Sequence, residues 1–242
     1  MGRAGERLFL QSMADSLILW DIDGTLVSMD RAGERALLIA IKELYARDLG
    51  ANLPVDLRGR TDTSIIRDLL GFLEVEGTPE EQMRLRTTYL SLMPTTMPAG
   101  KARVLTGIHE ALEAIHAHPE IHQALLTGNL KAGAELKLSF LGLWKYFEFG
   151  AFADDSHLRD ELGPFALARA KEKLGITFPP ERVWIIGDTP HDIACGKAIG
   201  AKTIAVATGA FTVEELSALK PTHTFKDLSD TQALLSVIIN QE

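Results

Sequence analysis

Ser16-Leu17-Ile18-Leu19-Trp20-Asp21-Ile22-Asp23-Gly24-Thr25-Leu26 is the stretch whose reading decides the fold. Residues 16–20 form a short apolar run that stops at an acid. Such a run fits a buried central strand with Asp21 at its carboxyl end. Similar runs recur at His122–Leu126, Arg182–Ile186 and Thr203–Val206, each followed by a polar turn: Thr127-Gly128-Asn129, Gly187-Asp188-Thr189-Pro190 and Ala207-Thr208-Gly209.

Helical patterns separate these runs, at Ile108–Ala117, Pro164–Leu174 and Asp192–Ile199. Strands alternating with helices predict an α/β fold, a Rossmann-like parallel sheet with helices on both faces. Ligands of such sheets bind beyond the carboxyl ends of the strands, so the polar turns are expected to converge on one crevice. Residues 29–102 break the rhythm, with helix-like stretches at Arg31–Leu49, Thr61–Leu73 and Pro79–Leu92 and no convincing buried strand. Pro94, Pro98 and Gly100 then read as a return linker. The expected organisation is an α/β core of residues 15–28 and 103–242, with an all-helical cap domain, 29–102, inserted after the first strand. Val27–Met29 and Met97–Arg103 are its hinges. Residues 1–14 lack periodicity and read as a loose N-terminal leader, with Met13 an equally good start.

The bulk composition bounds the function. The 242 residues are 46% apolar and 24% charged, ordinary for a globular protein with a real core. A net charge of −8 gives no footprint for nucleic acid or an anionic membrane, so neither is expected as a partner. The lone Cys195 excludes an internal disulfide and fits a reducing cytoplasm; no apolar run is long enough for a membrane span.

The chemistry is concentrated in Asp21-Ile22-Asp23-Gly24-Thr25. Residues two apart on a strand end project to one side, so both carboxylates can face one site. Gly24 lets the backbone turn sharply. Two close carboxylates can divide the work into one nucleophile or metal ligand and one proton donor and acceptor. The bland alternative is a solvated turn. A buried strand directly before it, and Thr25-Leu26 directly after it, favour function.

This motif resembles the first motif of the haloacid dehalogenase (HAD) superfamily, Asp-x-Asp-Gly-Thr after an apolar strand, and the resemblance extends over nearly the whole chain. It implies that Asp21 attacks phosphorus and that Asp23 protonates the leaving oxygen, then activates water. It further implies a Mg2+ ion held by the Asp21 carboxylate, the Asp23 backbone carbonyl and a downstream acid. Oxygen ligands suit Mg2+, and the ion offsets repulsion between an anionic nucleophile and an anionic phosphate. Thr127, Gly128 and Asn129 resemble the second, phosphate-binding motif, although Asn129 also suits a helix cap. Gly187-Asp188-Thr189-Pro190-His191-Asp192 resembles the fourth motif. There Asp188 is the expected direct metal ligand, and Asp192 either a ligand or a residue that orients one.

One piece departs from the family pattern. The usual Lys-Pro before a helix is replaced by Asp154–Pro164, which holds no lysine. Arg159 is assigned the cationic, phosphate-binding role, since its fork can bridge carboxylate and phosphate. In the insertion, Leu57-Arg58-Gly59-Arg60-Thr61-Asp62 resembles the cap loop of phosphoglycolate-phosphatase-like members with a C1-type cap. Arg58, Gly59, Arg60 and Thr61 are therefore the expected substrate-specificity residues, with Thr61 equally suited to an N-cap.

The expected function is Mg2+-dependent hydrolysis of a small phosphorylated metabolite by a cytoplasmic monomer or homodimer. The alternatives are a phosphosugar mutase of the same superfamily and a non-catalytic metabolite-binding protein on the same scaffold.

Overall fold

The computed structural model describes residues 15–97 and 101–240. The leader, residues 1–14, and Pro98 and Gly100 of the linker lie outside the described residues.

Eight strands are described: β1 (Ser16–Trp20), β2 (Val27–Ser28), β3 (Arg103–Val104), β4 (Ile121–Leu126), β5 (Gly150–Ala151), β6 (Val183–Gly187), β7 (Lys202–Val206) and β8 (His223–Phe225). Six of them form one sheet in the order β5-β4-β1-β6-β7-β8, every neighbouring pair parallel. β1 is central: Trp20 pairs with Leu125 on one side and Ile186 on the other. All five β1 residues are buried, which explains an uninterrupted apolar run rather than an alternating one.

Nine α-helices are described, α1 (Ala32–Tyr45), α2 (Asp62–Phe72), α3 (Pro79–Thr96), α4 (Ile108–His116), α5 (Lys131–Phe140), α6 (Leu162–Leu174), α7 (Pro190–Ala198), α8 (Val213–Ala218) and α9 (Thr231–Asn240), with single 3-10 turns at Trp144–Tyr146, Arg159–Glu161 and Pro180–Arg182. Period-2 alternation sorts the sheet residues between two cores. Ile18, Trp20, Trp184 and Ile186 pack with Leu112 of α4 and Ile238 of α9. Leu17, Leu19, Val183 and Ile185 pack with Ala166 of α6 and Cys195 of α7. The sheet is thus covered on both faces, as the alternating pattern predicts. No described helix is long and apolar enough to cross a membrane.

Helices α1–α3 lie between β2 and β3, which pair antiparallel with Val27 opposite Val104. This small ribbon carries the chain out of the sheet and back. Pro94 is not in a linker: it sits in the last turn of α3. Its missing N–H leaves the Leu90 carbonyl, four residues back, without its helical donor, a local defect two residues from the helix end. Asp30 and Arg31 leave β2 with φ of 46° and 59°, an uncommon backbone for non-glycine residues, directly before α1. Arg35 of α1 spans the join, donating to the carbonyls of Asp30 and Thr96.

Leu19 is fully buried between Ala124 and Ile185. Leu19→Ala is expected to cost about 2–5 kcal/mol through lost transfer and an unfilled cavity, measured by urea denaturation. An unchanged midpoint would contradict the packing described.

Candidate active site

Three strand ends meet at the carboxyl edge of the sheet. Asp21 follows β1, Thr127 follows β4 and Asp188 follows β6. Behind Asp21 the chain folds into a tight turn, with the amides of Leu26 and Val27 donating to the Ile22 carbonyl and Gly24 N to the Val27 carbonyl. Gly24 has φ 85°, and a Cβ there would lie 2.4 Å from Asp188 Oδ2. The turn therefore admits only glycine, for conformation and for room.

Asp21, Asp188 and Asp192 are buried and offer carboxylate oxygens within 4.8 Å of one another. Arg159 is wedged among them: its Nη2 donates to Asp21 Oδ1 at 2.8 Å and also to Asp192 Oδ1. The other Asp192 oxygen accepts from Thr189 N at 2.9 Å and Thr189 Oγ1 at 2.7 Å. Both Asp192 oxygens are thus engaged, which suits it to orienting Arg159 better than to binding a metal directly. Asp188 Oδ1 accepts only from Thr25 Oγ1, at 3.2 Å, among the described residues.

Three carboxylates against one guanidinium leave two negative charges uncompensated. The cost appears as proton affinity: burial pushes the Asp21 carboxyl up to about 6 despite Arg159. Burial, with the charges of Asp21 and Asp192, pushes Asp188 well above the usual range. A divalent cation against Asp21 and Asp188 would supply the missing charge, and oxygen donors are what Mg2+ prefers. The residues fit such an ion.

Asp23 belongs to a different set. Its Oδ2 accepts from Asn129 Nδ2 at 2.8 Å and from Lys137 Nζ at 2.6 Å. Its side chain stays 43% exposed, turned into the crevice rather than towards Asp188. Of the residues expected to bind metal, Asp23 thus keeps its carboxylate out of the cluster formed by Asp21, Asp188 and Asp192. Thr127 is fully buried, and its Oγ1 accepts from Asn129 Nδ2 at 2.9 Å.

The loop before α2 lies over this edge. Asp62 N donates to the Gly128 carbonyl at 2.7 Å, and Leu130 N returns a bond to Asp62 Oδ2 at 2.9 Å. Burial pushes the Asp62 carboxyl up to about 6, with the Lys137 charge opposing. Thr61 caps α2, accepting from Ser64 N at 3.1 Å, while its hydroxyl donates to the His157 carbonyl at 2.6 Å. Gly59, at φ 66°, lies so close to Thr189 and His191 that a Cβ would meet each at 2.7 Å. Arg58 and Arg60 border the crevice but their guanidinium groups are held by Asp56 and Asp68. The structure does not bring them to Asp21 or Asp23. Between loop and strand ends is a cavity of about 570 Å³, lined by Asp21, Asp188 and Lys137 on one side and by Asp62, Tyr89 and Arg60 on the other.

Sequence reading does not single out Lys137, Asp62 or Tyr89. For Lys137 a signal exists. It lies beside Ala134 and Leu138 on α5, and those two continue the buried stripe that starts at Leu130.

Residues 161–231 match a family model described as HAD-hydrolase-like. A probable phosphatase, IndB, of Dickeya dadantii is 26% identical over 85% of this chain and 86% of that protein. The pyrophosphatase PpaX of Bacillus mycoides is 24% identical over 93% of this chain and 99% of its own length. A solved structure described as a predicted phosphoglycolate phosphatase from Haemophilus somnus shares the fold, with a TM-score of 0.68 at 19% identity over 92% of this chain and 98% of that one.

The raised Asp21 and Asp188 carboxyls have a sign that can be measured. Each native group holds its proton more tightly than the unfolded chain, whose carboxylates titrate near 3.8. The Asp21 contribution to stability is complete below about pH 4 and is lost as pH rises through about 6, and that of Asp188 has the same sign. Mg2+ removes the repulsion only where the acids are ionised. The rise in melting temperature caused by Mg2+ is therefore expected to be larger at pH 7.5 than at pH 5, and to vanish in Asp188→Asn. Equal rises at both pH values would contradict the charge count.

Proposed function

We propose that the chain is a phosphatase of the haloacid dehalogenase superfamily, which hydrolyses a small organic phosphate monoester with Mg2+ through a phospho-aspartyl intermediate on Asp21; the similarity to a HAD-hydrolase-like model over residues 161–231 and to IndB and PpaX over most of the chain supports it. The observation that carries this reading is the shared edge: a buried Asp21 on Arg159, an adjacent Asp188, and Asp23 facing the same cavity.

In this mechanism an Asp21 oxygen attacks phosphorus, forming the O–P bond as the ester O–P bond breaks. Arg159 holds the nucleophile in place and offers its charge to the phosphoryl oxygens. In this reading the Thr127 hydroxyl and the amides of Ile22 and Asp23 donate to the same oxygens, while the Gly24 and Thr25 amides hold the turn itself. Asp23 delivers a proton to the departing alkoxide and then withdraws one from the water that attacks the phospho-enzyme. That water releases inorganic phosphate and regenerates the Asp21 carboxylate. The Asp21 carboxylate, the Asp23 backbone carbonyl and Asp188 are the groups that would hold Mg2+, which would supply charge neutralisation of nucleophile and phosphate. The insertion, 29–102, acts as a cap that excludes bulk water and admits the leaving group. Its loop residues Arg58, Gly59, Arg60 and Thr61 set that admission: Gly59 and Thr61 fix the loop, and the two arginines are the groups able to meet a second anion.

The name of PpaX favours one further reading, hydrolysis of inorganic pyrophosphate, in which the leaving group is itself a phosphate. A panel of small phosphate esters plus pyrophosphate, assayed for free phosphate with Mg2+, separates the two. Turnover of p-nitrophenyl phosphate is expected, and Asp21→Asn should lower it by at least about 10³-fold. An intact protein that binds esters but releases no phosphate would contradict the proposal. Transfer of phosphate between sugar positions without release would point to a mutase.

A further inference from the structure

Lys137 is a buried ammonium that the chemistry so far leaves without a task. It sits in α5 beside Ala134 and Leu138, on a helix face that otherwise packs as hydrocarbon. A lysine is rarely buried there without a compensating partner, because its charge loses water. Its partners are Asp23 Oδ2 at 2.6 Å and Asn129 Oδ1 at 2.5 Å.

The arrangement is specific at the level of atoms. Asn129 Nδ2 donates to Asp23 Oδ2 at 2.8 Å and to Thr127 Oγ1 at 2.9 Å. Lys137 fixes which way that amide points, because only its oxygen can accept from an ammonium. Both Lys137 and Asn129 grip the same oxygen of Asp23. Asp23 Oδ1 has no hydrogen-bond partner among the described residues and belongs to a side chain that is 43% exposed in the cavity. Eight residues separate Lys137 from Asn129, about two helical turns, so the first turns of α5 carry the ammonium back to the loop that precedes them.

From this geometry we propose that Lys137 is a positioning residue: it clamps Oδ2 of Asp23, through a direct bond and through Asn129, so that Oδ1 alone faces the leaving group and the hydrolytic water. The inference rests on the phosphatase reading and adds a residue to it. The proton passes between Asp23 Oδ1 and the departing oxygen; Lys137 neither gains nor loses one.

The test compares leaving groups. p-Nitrophenolate departs without a proton, whereas the alkoxide of a simple alkyl phosphate needs one from Asp23. kcat/KM, which reports the steps through phosphoryl transfer, is measured with Mg2+ for the wild type, Lys137→Met and Lys137→Arg on both esters. Lys137→Met is expected to lose roughly tenfold more on the alkyl ester than on p-nitrophenyl phosphate, with partial recovery in Lys137→Arg. A merely structural role would lower both equally, and that result would overturn the proposal. Crystal structures of the wild type and Lys137→Met read the same claim without turnover. The Asp23 carboxylate should stay on Asn129 in the wild type and leave it in the variant. An unmoved carboxylate overturns the clamp even if neither ester is a substrate. If Lys137→Met fails to fold, Lys137→Gln, which keeps a donor but not the charge, carries both arms. Wild-type inactivity on both esters would count against the phosphatase reading and leave the clamp to the crystallographic arm.

Discussion

Arg159 holds two buried carboxylates with one nitrogen, and the rest of the site is arranged around the charge that this leaves over. Bonds of this kind are costly to assemble, because each ion must first lose its water. The fold offsets that cost locally. Asp192 is braced by Thr189, Asp21 continues from the central strand of the sheet, and Arg159 ends a loop that packs against α7. Of the three acids, Asp188 has no ion-pair partner among the described residues, and it is the one that lies closest to the turn at Gly24. The surplus charge gives the site its demand for a cation and, in the proposed reaction, its means of accepting an anionic ester despite a net charge of −8.

A second charge pair sits beside the first without sharing its charge. Lys137 and Asp23 face each other across the cavity wall, with Asn129 linking them to Thr127. The separation suits a reaction that asks one carboxylate to stay ionised and another to pass protons. The helical insertion meets the loop beside this second pair. Asp62 exchanges bonds with the Gly128 carbonyl and the Leu130 amide, next to the residues that hold Asp23. The insertion is thus anchored next to the residues that align the acid.

Much of this was legible in the sequence because burial on both faces writes a plain signal. The runs ending at Asp21, Thr127 and Asp188 each lack polar alternation, and parallel strands covered by helices require that. The two-residue strands β2, β3 and β5 were not legible, since two residues carry no period. Pro94 misled as a boundary because the helix runs two residues past it despite the bond it removes. Asp21, Thr127, Asp188 and Arg159 could be brought to one edge from motif order. Asp62 could not, and Lys137 only through the buried stripe it interrupts. Each reads alone as an ordinary helix residue, a solvated lysine and an acid in a first turn. Their partners lie in other elements of the chain.

The most direct measurement is calorimetric titration of the protein with Mg2+ near pH 6, in buffers of differing ionisation enthalpy. If two buried acids lack a cation and hold protons in its place, one ion should bind per chain, displacing protons, and Asp188→Asn should abolish the binding. Absence of binding, or binding with no proton release that survives the loss of Asp188, would contradict the account.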